Sequence, residues 1–191
     1  MQRTQRPERA NEKSPAASAK KGDRETDNEE DARRFKVDFE QQGSDVTVRG
    51  EKGDDSSGWF DGWDGDELKV RYRITVPRRY NTDLETAGGS IRVADLEGEV
   101  IAETTGGSIT ARITKQPQES SELSSSAGSV TVYLAEGVGV NVDAETSFGQ
   151  VESDFHEQRG DDQNELKAAI NGGGPELRLR ASVGNVQLRR L

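Results

Sequence analysis

The sequence predicts an all-β fold, a single-stranded right-handed β-helix-like solenoid of short coils, and three observations predict it. A short unit recurs at a nearly constant phase, apolar and polar residues alternate with a period of two, and no segment carries apolar residues at helical spacing. The unit is clearest in Leu84-Glu85-Thr86-Ala87-Gly88-Gly89-Ser90-Ile91 and Ala102-Glu103-Thr104-Thr105-Gly106-Gly107-Ser108-Ile109. It returns from Leu123 to Val130, from Ala144 to Val151 and from Leu179 to Val186. Every copy has an apolar residue, Gly five places on, and Ile or Val two places after that. Four of the five place Ser or Thr two residues after the first position; the last has Ala181.

Taken in order, the chain opens on residues 1–33, which hold almost no large apolar side chain and carry charges of both signs. Such a stretch buries too little surface to offset its ordering entropy, so it reads as a disordered polar tail preceding a solenoid domain over 34–191. Phe35, Val37 and Phe39 then alternate with Lys36 and Asp38, Gln41 to Ser44 turns the chain, and Val46 and Val48 resume the alternation. A loop from Gly53 to Glu67 precedes a strand in which Leu68, Val70, Tyr72, Ile74 and Val76 face one way, and Pro77 ends it.

The repeat takes over from Leu84. Its glycines, Gly89, Gly107, Gly128, Gly149 and Gly184, are spaced by 18, 21, 21 and 35 residues. Between them alternation persists in Val100, Ala102 and Thr104, in Val130, Val132 and Leu134, in Val138, Val140, Val142 and Ala144, and in Leu177, Leu179 and Ala181. At ~3.3 Å per residue a 20-residue coil has a perimeter of roughly 65 Å, which suits two short strands, their turns and opposed sheets ~10 Å apart. In such a stack each Ile or Val after the Gly sits above its counterpart in the preceding coil. The five glycines mark corners where a Cβ is excluded, and a nearby Ser or Thr hydroxyl satisfies turn amides. An antiparallel β-sandwich is the alternative, since strands at 8–12-residue spacing give a similar pattern. Tight hairpin signals are scarce, however, and the solenoid is preferred.

The residues from about Val70 to Leu191 resemble a bacterial family of unknown-function domains named "putative adhesin". The resemblance is carried by Val76-Pro77, by Leu84 to Ile91, by Val93-Ala94-Asp95-Leu96-Glu97-Gly98-Glu99-Val100, by Gly128-Ser129-Val130-Thr131-Val132 and by Ile170-Asn171-Gly172-Gly173-Gly174-Pro175. It implies a β-solenoid domain exported from the cell or attached to the bacterial envelope, with no catalytic signature to carry over. No signal peptide or transmembrane segment is read in the sequence, so a cytoplasmic location stands as the alternative.

Chemistry-bearing residues are few. With no cysteine and a single histidine, His156, thiolate chemistry is excluded and a nucleophile–base pair has little to build on. No phosphate loop is present, because Gly172-Gly173-Gly174 lacks the Lys-Ser/Thr that follows in one. A formal net charge of −10 argues against nucleic acid as a partner. The most suggestive stretch is the Asp- and Gly-rich loop. Its Asp61, Asp64 and Asp66 are weak candidates for a hard cation, in a spacing that matches no calcium motif. Its Trp59, Phe60 and Trp63 suit a glycan or protein partner, or else fold back as the cap an open stack end needs. Glu85, Asp95, Glu97, Glu99 and Glu103 read as a solvated acidic face. The expectation is a non-catalytic, cofactor-free envelope module acting by surface binding, as adhesin or scaffold, without direct membrane insertion. A regulatory module of envelope stress and a carbohydrate-active enzyme are the alternatives.

Overall fold

Alternating β-favouring and small polar residues build the strands, and glycine ends them. The computed structural model describes residues 18–20, 24–25, 35–42, 45–52, 69–155 and 163–191, and among these there are strands and turns but no helix. The chain divides into two compact units, residues 1–77 and 78–191. The first holds β1 (Ser18–Lys20), β2 (Arg24–Glu25), β3 (Phe35–Gln42), β4 (Asp45–Lys52), β5 (Lys69–Val70) and β6 (Arg73–Thr75). β3 and β4, which carry the alternation read around Phe35–Phe39 and Val46–Val48, pair antiparallel. Of residues 1–33, read as a polar tail, only β1 and β2 are among the described residues, and the division into units falls at Pro77. The single strand expected over Leu68 to Val76 is two short ones, because β5 pairs with β2 while β6 pairs with β1.

The second unit contains β7 (Thr82–Gly88), β8 (Ile91–Ala94), β9 (Val100–Gly106), β10 (Ile109–Ile113), β11 (Ser121–Ala127), β12 (Val130–Leu134), β13 (Val140–Phe148), β14 (Val151–Ser153), β15 (Glu165–Ile170), β16 (Glu176–Val183) and β17 (Val186–Arg190). Each copy of the repeat supplies one strand before its Gly and one after it, a pair we call a rung. The five first strands, with β15 added at one edge, form a six-stranded sheet ordered β7-β9-β11-β16-β13-β15, and the second strands a five-stranded sheet ordered β8-β10-β12-β17-β14. All neighbours run parallel except β13 and β15, which are antiparallel. The parallel ladders rule out the antiparallel sandwich, and β15, which bears Leu166, Ala168 and Ile170, covers the outer edge of β13.

The order of rungs departs from the order of the chain. Ile91, Ile109 and Val130 stack in succession as the phase predicts, but the next neighbour of Val130 is Val186, and Val151 follows Val186. The last rung, β16–β17, therefore enters between β11–β12 and β13–β14. The 35-residue gap between Gly149 and Gly184 is where the chain turns back through β15 to reach that position.

Glycine makes this stacking possible. A Cβ on Gly107 would lie 2.2 Å from the Gly89 carbonyl oxygen, one on Gly128 2.0 Å from that of Gly107, one on Gly184 2.4 Å from that of Gly128, and one on Gly149 2.0 Å from that of Gly184. The five corner glycines thus form one column in the order 89-107-128-184-149, and all but Gly149 have positive φ. Two polar columns flank it. The buried hydroxyls of Thr104, Ser125 and Thr146 donate to the carbonyls of Gly89, Gly107 and Gly184 at 3.1, 2.8 and 2.7 Å. The residue after each Gly does the opposite: Ser90, Ser108, Ser129 and Asn185 accept the backbone amides of Ser108, Ser129, Asn185 and Gln150. The repeat's conserved-phase Ser or Thr therefore donates to turn carbonyls, and amide satisfaction falls to its neighbour on the far side of the Gly. Inside, the side chains of both sheets meet in one apolar core. One row runs Ala102, Leu123, Leu179, Ala144 and Leu166, and the facing row runs Ile109, Val130, Val186 and Val151, all buried.

Charge matches the entering rung to its neighbours. Arg178 pairs with Glu122 on β11 at 3.2 Å, and Arg180 with Asp143 on β13 at 2.8 Å. On the other sheet Arg189 pairs with Asp154 at 3.0 Å and also with Glu152 on β14. The Arg180 hydrogen bond holds the Asp143 carboxyl below the usual carboxylate range against the opposing effect of burial. Asp154 is lowered first by the Arg190 backbone amide and then by the Arg189 side chain.

Four substitutions test these contacts. Gly128→Ala costs roughly 2–5 kcal/mol in denaturant unfolding, as strain adds to overlap. Gly89→Ala, with no heavy atom within 4 Å of its Cβ, costs the strain alone. Ala181→Ser supplies the one hydroxyl missing from its column and stabilises by about 0.5–1 kcal/mol. Because the folded carboxyls are lowered, the unfolded chain binds more protons in acid. Their contribution is complete above an unfolded value of about 3.9 and is lost as pH falls through the lowered folded values. Asp143→Asn is expected to remove about 1 kcal/mol at pH 7, discounted for solvent screening, and to flatten the acid limb of a stability–pH curve.

Candidate functional site

Packing decides where a site can be. The space between rungs near one end of the core is a crevice of about 20 Å³, lined among others by Val93, Leu96, Val100, Ala111, Leu123 and Leu177. That admits one water, against the roughly 300 Å³ or more of a small-ligand pocket. Among the described residues no group of three or more His, Asp or Glu is placed to hold a metal ion. The accessible chemistry of the second unit lies on its outer faces.

Strand register arranges those faces in rows. On the six-stranded sheet one row runs Asp83, Ile101, Glu122, Arg178, Asp143 and Lys167. The next runs Glu85, Glu103, Ser124, Arg180, Glu145 and Glu165. On the five-stranded sheet Arg92, Thr110, Thr131, Gln187 and Glu152 form one row, and Ala94, Arg112, Tyr133 and Arg189 form the other. Where β16 and β17 lie, cations and carboxylates are interleaved and paired, and Lys167 pairs with Glu165 beside them. Toward β7 and β8 the two faces separate in sign, one acidic and the other basic. At the corner rim Phe148 and Val183, in register with each other, are 75% and 55% exposed. Each stands at an inward phase, but beyond the last buried position of its strand, where the sheets part around the glycines.

The sequence-selected residues fare differently. The five corner glycines come together in a single column. Trp59, Phe60 and Trp63, with Asp61, Asp64, Asp66 and His156, lie outside the described residues. Of the acids read as one solvated face, Glu85 and Glu103 stand side by side and exposed on β7 and β9. Asp95 instead accepts the Thr114 hydroxyl at 2.6 Å, and Glu97, whose side chain is 16% exposed, pairs with Arg79. Sequence reasoning passed over Arg92, Arg112 and Tyr133. The signal was available in the repeat phase: Arg112, Tyr133 and Arg189 each stand five residues after a corner Gly, which places them in one outward row.

No curated protein matches the chain. Its fold is similar to that of a crystal structure described as a "putative cell adhesion protein" from Clostridium sporogenes, with a TM-score of 0.61 and 17% identity. The likeness covers 83% of this chain and 77% of that one, and at such identity it is a likeness of fold. Residues 72–189 match the model of a single family and take in all five rungs, well over half of the sequence. The chain belongs to the Toastrack DUF4097 family.

Proposed function

We propose that this chain is a non-catalytic module of the bacterial cell envelope that works by surface contact, as an adhesin-like or scaffold protein. Its rungs form a single-stranded, right-handed β-helix-like solenoid. The observation that carries the reading is the filled interior: buried side chains from both sheets meet in one core, beside a crevice with room for a water. With the inside occupied, the outward rows and the loops are what a partner touches. Family membership and the fold shared with a protein described as a cell adhesion protein support the same reading. The envelope location rests on that support alone. A protein or glycan is the partner class, and Trp59, Phe60 and Trp63 are further contact residues in addition to the outward rows.

The test is saturable binding of the full chain to washed bacterial envelope fractions and to an immobilised glycan panel. Binding that survives exhaustive dialysis against chelator and leaves the glycan intact is the expected outcome. Capture of one defined protein at fixed stoichiometry would move the assignment to a regulatory module. Depolymerisation of an acidic polysaccharide, abolished by one Asp or Glu substitution, would overturn it in favour of an enzyme.

A further inference from the structure

The two outer faces of the first two rungs carry opposite and uncompensated charge. On β7 and β9 the exposed Asp83, Glu85 and Glu103 make no ion pair among the described residues, and Glu85 lies directly beside Glu103. Like charges in adjacent register are mutually unfavourable. Ile101, 41% exposed, sits in register with Asp83 among them. On the opposite face, β8 and β10 present Arg92 and Arg112, both exposed and both without an ion-pair partner among the described residues. Arg112 is in register with Tyr133, which is 36% exposed. Elsewhere on these faces Arg178, Arg180, Arg189 and Lys167 are each paired with a carboxylate, and Arg190 stacks on the Phe155 ring at 5.2 Å. The first two rungs alone leave their charges open.

The positions match across the thickness of the stack. Glu85 and Glu103 stand four residues before their corner glycines, and Arg92 stands three after Gly89. Asp83 and Ile101 stand six before, and Arg112 and Tyr133 five after. The open acids and the open arginines are therefore back to back at similar distance from the corner. A second molecule displaced along the sheet normal brings its acidic face over the basic face of the first, with Glu85 and Glu103 over the row of Arg92 and with Ile101 near Arg112 and Tyr133.

We infer that the partner of the Arg92–Arg112–Tyr133 face is a second copy of this chain, docking through its Asp83–Glu85–Glu103–Ile101 face. The reading rests on the outer sheet faces being the working surfaces. An acidic polymer would neutralise the arginines and leave the carboxylates as they were, whereas a second copy answers both faces at once. The contact is heterologous, so it does not close on itself and generates an open stack. A net charge of −10 opposes distant approach, but at ~0.15 M salt that repulsion is screened beyond about 8 Å while contact pairs persist.

Sedimentation velocity of the full chain over a concentration series tests this. The weight-average mass is expected to rise at least about twofold by ~0.5 mM protein at ~0.15 M salt and to return to monomer in ~1 M salt. Arg92→Glu with Arg112→Glu, and separately Glu85→Arg with Glu103→Arg, should each weaken association about tenfold or more without changing Tm, since all four side chains are exposed. Mixed in equal amounts, the two variants should associate again, because one then carries carboxylates at these positions on both faces and the other carries arginines on both. A wild type that stays monomeric, or a mixture that does not recover, overturns the stack. So does Arg92/Arg112-dependent binding of polygalacturonate by a monomeric wild type, which would give the basic face to an acidic polymer. Envelope binding retained by both monomeric variants separates failure of the stack from failure of the surface-binding reading.

Discussion

The interaction on which this molecule depends is the double parallel ladder of its last rung. β16 bonds to β11 on one side and β13 on the other, while β17 bonds to β12 and β14. Until that rung is in place, four strands present bare backbone edges, and unpaired backbone groups in an interior are expensive. The rungs that come to lie on either side of it must therefore wait for a segment made after both. Its bonds to β11 span 56 residues, as in the Arg178–Glu122 pair, so closure comes late and at high entropic cost. The corner column shows how little tolerance the arrangement has: the Gly184 Cα sits where one added carbon would meet the Gly128 carbonyl, and Gly149 stands likewise against Gly184.

Geometry alone would let a late rung add beside β7 and β8, which end the two sheets among the described residues, so something must favour the interior position. Charge on the six-stranded side does not discriminate, because Asp83 and Glu85 on β7 would receive Arg178 and Arg180 much as Glu122 and Asp143 do. The five-stranded side does. There the interior position offers Glu152 and Asp154 to Arg189, whereas β8 offers Arg92. The apolar row adds to the preference, since Leu179 fits between Leu123 and the smaller Ala144 with ladders on both flanks, while an end position gives it one flank. Ion pairs of this exposure contribute modestly to stability, but choosing between two otherwise similar sites requires only a difference.

Much of the fold was legible because its governing periods are short. A period of two picked out Ala102, Val130, Val132 and Leu179, all buried, and the five-residue step to Gly located every corner in the column. The order of the rungs was not legible from phase, because all five copies carry the same one and so fit any neighbour equally. Two departures did mark the last copy: Ala181 where the others have a hydroxyl, and four arginines in a rung whose neighbours are acidic. The outward row of Ala94, Arg112, Tyr133 and Arg189 escaped notice for a different reason. Its members differ in chemistry and agree only in distance from a glycine, so a search by residue type does not group them, and counting from the corner Gly does, as the register bears out. The boundary at Pro77 likewise depends on which strands pair, since β1 and β2, in a stretch of tail-like composition, find partners about 50 residues further along the chain.

A structure built on such columns separates what must be kept from what is free to change. The glycine, the hydroxyl and the inward aliphatic residue of each rung answer to the rungs above and below, and a change in any of them is felt along the axis. The outward residues answer to their neighbours in the same row and to solvent. On the proposed surface-binding reading, partner choice would be written in the rows at fixed distance from each corner, where single outward residues can be substituted without disturbing the core. The opposed open charges of the first two rungs are of that kind. They lie on rungs whose interior rows continue unbroken into the rest of the stack, and no packing requirement of the stack calls for them.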